Sequence, residues 1–199
     1  MKNQRRFGNV LGGERASPQA LKAFSEWHEC VSMVMSGDTA DIARFERFVA
    51  AHVRKDVLFC PPTYFGTYTG RAPFSAILQT VGQVFGPKFK YLRQILSPDA
   101  REWFLEFETP IADSGKIIRG IDLVQLDEND QIKEFRILAA PPSGVLELKK
   151  EMGARVRGVR ASNDSTFSPY HENTKYITRR VICTTHLYHW RITRTATLK

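Results

Sequence analysis

The fold turns on one stretch: Gly115-Lys116-Ile117-Ile118-Arg119-Gly120-Ile121-Asp122-Leu123-Val124-Gln125-Leu126, then Asp127-Glu128-Asn129-Asp130-Gln131, then Ile132-Lys133-Glu134-Phe135-Arg136-Ile137-Leu138-Ala139-Ala140-Pro141-Pro142. The outer blocks are rich in β-branched residues and the middle block is polar, which reads as two long strands joined by a turn. Successive strand residues point to opposite faces. Asp122 therefore shares a face with Ile118, Gly120, Val124 and Leu126, a carboxylate where an apolar side chain is expected. Arg119 is one pleat out of phase with it. Pro141-Pro142 ends the second strand, and Val145, Leu146, Leu148 and Met152 mark a short closing helix.

Upstream, Phe89, Tyr91, Arg93 and Ile95 alternate with Lys88, Lys90, Leu92 and Gln94, and Trp103, Leu105 and Phe107 alternate with Glu102, Phe104, Glu106 and Glu108. Each run predicts a further strand. Val57-Leu58-Phe59-Cys60 predicts a short strand stopped by Pro61-Pro62. Three helices are predicted before the sheet. The first starts at Ser17-Pro18, with Ser17 as N-cap and Pro18 in the first turn. The second runs from about Ala40 to His52 on an Ile42, Phe45, Phe48, Val49 stripe. The third carries Ala76, Ile77, Val81 and Val84, and stops at Gly86-Pro87. Helices first and antiparallel strands afterwards make an α+β fold, not the alternation of a parallel sheet. A twisted antiparallel sheet can curl over a helix layer and leave an apolar hollow.

The 199 residues suffice for one domain with a real core. We expect a flexible arm over 1–16, a folded domain over 17–156 and a basic extension over 157–199. Nine Lys/Arg and only two acids, Asp164 and Glu172, lie between Arg155 and Lys199, so seven of the eight net positive charges fall there. The body is almost neutral and a poor phosphate binder, which argues against nucleic acid as its partner. No run approaches a membrane span. Met1 to Arg15 is polar and basic with no apolar core, which predicts no secretory leader and a cytoplasmic protein. Cys30, Cys60 and Cys183 are too few and too scattered for a disulfide framework.

The elements, taken in order, resemble the SnoaL-like branch of the nuclear transport factor 2-like superfamily. The matching pieces are Trp27-His28, the strand ending at Pro61, Tyr68-Thr69-Gly70-Arg71, Gly120 to Asp127 with Ile132 to Phe135, and the Pro142 to Gly153 helix. The resemblance covers about residues 18–154. It implies a cone built from a curved sheet and three helices, often dimeric through the outer sheet face. It also implies cofactor-independent isomerase, dehydratase or cyclase chemistry on a small hydrophobic molecule, or binding without catalysis. Asp122 falls at the position of a proton-donating Asp in the family's ketosteroid isomerases, where a buried acid stays neutral and donates a hydrogen bond. That isomerase pattern departs at Cys60, near the place of the base, and at Cys30, near the place of a helix-borne Tyr.

The residues suggest a site. Asp122 is the candidate acid, against a structural hydrogen bond to a neighbouring element. His28 is its candidate partner on the first helix, against a satisfied core histidine. Tyr64 and Tyr68 lie on a loop expected at the mouth, against aromatic loop packing; Trp103, Phe107, Phe89 and Phe59 are candidate wall or core residues rather than a cofactor box, and Cys60 is a candidate wall residue against inert packing. Cys183, His186 and His189 have metal-ligand types at chance-level spacing, and no metal or cofactor is expected.

Overall fold

The computed structural model describes residues 10–36, 42–63, 66–111 and 114–162, with side chains to Arg155. These residues belong to one compact unit. The 163–199 extension, with its Cys/His cluster, and Tyr64 lie outside the described residues.

Seven strands form one sheet: β1 (Val10–Leu11), β2 (Val53–Cys60), β3 (Tyr68–Thr69), β4 (Lys90–Leu96), β5 (Glu102–Pro110), β6 (Ile117–Leu126) and β7 (Ile132–Ala140). Their order is β1-β4-β5-β6-β7-β2-β3. The central four are antiparallel to their neighbours, while β2 joins β7, and β1 joins β4, in parallel. The helices are α1 (Pro18–Ser36), α2 (Ile42–His52), α3 (Arg71–Phe85) and α4 (Pro142–Ser162). This is the α+β architecture expected: a curved, mostly antiparallel sheet closed by helices.

The local causes are visible. Ser17 Oγ accepts a hydrogen bond from the Ala20 N–H at 2.9 Å, capping α1. The same hydroxyl donates to Asp130 Oδ2 at 2.5 Å, tying the start of α1 to the β6–β7 turn. Arg101 Nε donates to the other oxygen of Asp130 at 3.1 Å. Asp127 Oδ1 accepts the N–H groups of Asn129 and Gln131, both at 2.9 Å, and so shapes that turn. A Cβ at Gly82 would lie 2.2 Å from the Val34 carbonyl oxygen, so only glycine lets α3 sit this close to α1. The core between sheet and helices holds Trp27, Phe45, Phe59, Phe74, Trp103 and Phe135, with Phe59, Phe74 and Phe135 in edge-to-face or tilted ring contacts.

Four expectations need correction. Residues 10–16 are not a loose arm: Val10 and Leu11 pair with Gln94 and Ile95. Gly12, at φ 92°, then brings its backbone so near Leu96 that a Cβ would sit 2.0 Å from the carbonyl oxygen. The glycines mark a close approach rather than freedom. β2 begins at Val53, not Val57, because polar Arg54, Lys55 and Asp56 and a register shift hide its alternation. In β4 a bulge between Tyr91 and Arg93 reverses the phase, so Gln94 and Leu96 point inward while Arg93 and Ile95 are exposed. α4 is not short: its 21 residues carry it past the boundary expected at 156/157.

Candidate active site

Alternation on β6 is complete, with Ile118, Gly120, Asp122, Val124 and Leu126 all buried. Asp122 is 5% exposed. Its cross-strand neighbours are Leu105 on β5 and Ile137 on β7, so no cation or amide flanks it within the sheet. Its Oδ2 accepts a hydrogen bond from the Tyr91 hydroxyl at 2.8 Å. Tyr91 in turn accepts from Trp27 Nε1 at 3.0 Å. Asp122 Oδ1 has no hydrogen-bond partner among the described residues.

Burial dominates the electrostatics. Desolvation pushes the Asp122 carboxyl up to about 7, with the Tyr91 hydrogen bond acting in the opposite direction. Desolvation, and then the neighbouring carboxylate, hold the Tyr91 phenol well above its ordinary range, so it remains a hydrogen-bond donor. At neutral pH the acid is close to half-titrated.

Asp122 and Tyr91 line a hollow between sheet and helices. α1 contributes Trp27 and Val31, α3 contributes Val81 and Phe85, β5 contributes Phe107, and Pro61 to Thr63 border it. The unfilled space among these atoms and at the mouth is about 740 Å³, but the centre of a water molecule can reach only about 50 Å³ of it. Part of its wall is an aromatic stack: Phe89 lies on Phe85 with 6.1 Å between ring centroids and on Phe107 with 5.4 Å. Gly120 makes the notch under Phe107, since a Cβ there would be 2.4 Å from that ring.

Of the site residues singled out in the sequence, Asp122, Phe107, Phe89 and Phe59 line the hollow, and the other described ones do not. His28 is turned towards its own helix and β4. Its Nδ1 is 2.9 Å from the Phe24 carbonyl oxygen, its Nε2 is 2.5 Å from Gln94 Oε1, and burial lowers its pKa. Trp103 is sealed in the core with its indole N–H donating to the Ala100 carbonyl at 2.7 Å. Tyr68 packs against the core, and Cys60 Sγ lies 3.5 Å from Thr67 Oγ1. The residues that sequence reading missed are Tyr91 and Trp27. Their signal was one phenol on the inward face of β4 and one carboxylate on the inward face of β6, which the sequence alone does not bring together across β5. Among the described residues no cluster of His, Cys, Asp and Glu could hold a metal ion, and no helix is long and apolar enough to cross a membrane.

Neither protein-family models nor curated proteins match the chain. Solved structures do. A steroid delta-isomerase from Pseudomonas aeruginosa is 29% identical, with a TM-score of 0.63, over 73% of this chain and 97% of that one. An uncharacterised bacterial protein with a cystatin-like fold from Silicibacter pomeroyi DSS-3 is 32% identical, with a TM-score of 0.57, over 70% of this chain and 90% of that one. A nuclear transport factor 2-like protein from Burkholderia xenovorans LB400 aligns over 69% of this chain and 98% of that one, at 11% identity and a TM-score of 0.47. With this strand order and its likeness to the first two of these structures, the chain belongs to the SnoaL-like branch of the nuclear transport factor 2-like superfamily.

Proposed function

We propose that the hollow takes a small, mainly apolar molecule bearing an oxygen, and that Asp122 moves a proton on it without a cofactor. The observation that carries this is a lone carboxyl inside an apolar wall, raised to about 7. A group that titrates near the working pH can both take and return a proton. As a carboxylate, Asp122 would remove a proton from carbon beside a carbonyl. As the acid, it would return that proton at another position, giving a shift of a double bond with no net loss of atoms. The 29% identity to a steroid delta-isomerase favours this isomerase class. Dehydratase and cyclase steps use the same acid–base element. Pockets for drug-sized ligands measure roughly 300–1,000 Å³. A ligand of that size would need the side chains lining the hollow to rearrange around it.

A non-catalytic reading has its own support. Asp122 and Tyr91 are the only titratable side chains among the described residues lining the hollow, so no second base stands opposite the acid. One experiment separates the readings. Wild type and Asp122→Asn are incubated with small apolar ketones, enones and phenols, and binding and product are both followed. Consumption by wild type, lost by at least about 100-fold in a folded Asp122→Asn, supports catalysis. Binding without consumption by either makes the protein a binding module. Neither binding nor consumption removes the hollow as the functional site.

The outer sheet face supports a proposed homodimer. Ile95, Phe104 and Leu123 stand in register across β4, β5 and β6, and Ile121 faces Leu138 on the next row. Phe104, Ile121, Ile95 and Leu138 are exposed. Ion pairs of Arg93 with Glu106 and of Arg119 with Glu108 border them. A patch of this kind, rimmed by both charges, is self-complementary about a two-fold axis.

A further inference from the structure

A tryptophan with no atom to titrate decides where the proton of the acid sits. An indole N–H can only donate, whereas a phenol has one hydrogen to give and lone pairs to accept with. Trp27 Nε1 lies 3.0 Å from Tyr91 Oη, so the phenol oxygen is the acceptor of that contact. Its single hydrogen is then committed to Asp122 Oδ2, 2.8 Å away. With the Tyr91 hydrogen on it, Oδ2 is the acceptor of the pair, and in this arrangement a neutral Asp122 carries its own proton on Oδ1, the oxygen without a partner among the described residues.

We propose that Trp27 is a positioning residue of this site, which through Tyr91 locks Oδ2 as a permanent acceptor and leaves Oδ1 as the one oxygen that exchanges a proton with a ligand. This rests on the reading of Asp122 as the working acid. It adds the direction in which that acid works. A ligand oxygen meeting the neutral acid is an acceptor, such as a ketone carbonyl, placed at Oδ1. The ionised acid has a lone pair at the same place for a C–H proton. Hydrogen bonds in a chain polarise one another, so the indole also strengthens the phenol as a donor to the carboxylate.

The neighbours do not supply a competing path. Across the sheet Asp122 meets Leu105 and Ile137, and the described helix residues of the wall are otherwise apolar. His28 is the one other titratable ring nearby, 5.4 Å from the Tyr91 ring between centroids, with its two nitrogens on Phe24 and Gln94.

The test needs neither ligand nor turnover, so its failure is separate from failure of the proposed function. The full-length protein is titrated from pH 3 to 9 while the Asp122 carboxyl carbon and the tryptophan indole N–H resonances are followed by NMR. The Trp27 indole signal should move with the same midpoint as Asp122. The Trp103 indole, which donates to the Ala100 carbonyl, should stay still. Asp122→Asn should abolish the movement, which separates it from any His28 titration. Tyr91→Phe should also abolish it and raise the Asp122 midpoint by roughly one to two pH units. Trp27→Phe should raise the midpoint by less. A Trp27 signal that stays flat while Asp122 titrates in wild type overturns the proposal, as does movement that survives Asp122→Asn. The wild-type titration gives that answer whether or not the variants fold.

Discussion

Tyr91 and Asp122, 31 positions apart in the chain, join their side chains at 2.8 Å inside an apolar wall. One strand supplies a donor that stays protonated and the next-but-one supplies an acid that titrates near neutrality. Trp27 of α1 donates to the same phenol, so the packing of α1 against the sheet that makes the core also removes water from the carboxyl.

That arrangement sets a pH dependence of stability. Burial raises the folded-state value of Asp122 from 3.8 to about 7, so between those values the native state holds more protons than the unfolded chain. Stability from this group is therefore present at low pH and is lost as pH rises through about 7. The loss runs from about 3.8 to about 7 and is on the order of 4 kcal/mol as an upper bound. Asp122→Asn should be closest to wild type in urea unfolding at about pH 3.5 and gain relative to it up to about pH 8.5. A difference that does not change with pH would count against the raised value.

Gly120 sets the shape of the wall. A methyl group there would meet the Phe107 ring at 2.4 Å and the Leu138 carbonyl oxygen at 2.5 Å. Gly120→Ala should cost about 1–3 kcal/mol by overpacking. Phe107→Leu in the same chain should recover only the part due to the ring, because the clash with the backbone oxygen remains. Denaturant midpoints of the single and double variants measure this.

Ser17 holds two elements at once, the α1 N-terminus and Asp130 of the β6–β7 turn. Ser17→Ala should lower stability by roughly 1–2 kcal/mol, and Ser17→Thr should retain most of it. Thermal or chemical unfolding reads the difference. Equal losses for both substitutions would show that the hydroxyl is not what holds the cap.

The exposed row on the outer sheet predicts association. Light scattering should give about twice the chain mass for wild type, and the chain mass for Phe104→Glu. A monomeric wild type at tens of micromolar would remove the proposed dimer.

Much of this was readable from residue order, and what was not has a physical reason. Asp122 stood out because β6 alternates without a fault, so a carboxylate on the buried face has no other explanation than a special environment. Ser17 and the Asp127 turn were legible because their side chains satisfy local backbone groups. Tyr91 was not legible as a partner, since its hydrogen bonds to Trp27 and Asp122 join residues 64 and 31 positions away. His28 shows the converse. Its helical phase suggested the hollow, yet Gln94, brought inside by the β4 bulge, engages its ring instead. The roles of Gly12 and Gly82 were not legible, because a close backbone approach leaves no trace in hydropathy.

The most direct measurement is the titration midpoint of the Asp122 carboxyl carbon in the unliganded wild-type protein. The account predicts a midpoint near 7, shifted by an apolar ligand that carries a carbonyl oxygen. A midpoint at the ordinary value of 3.8, unmoved by any such ligand, would contradict it.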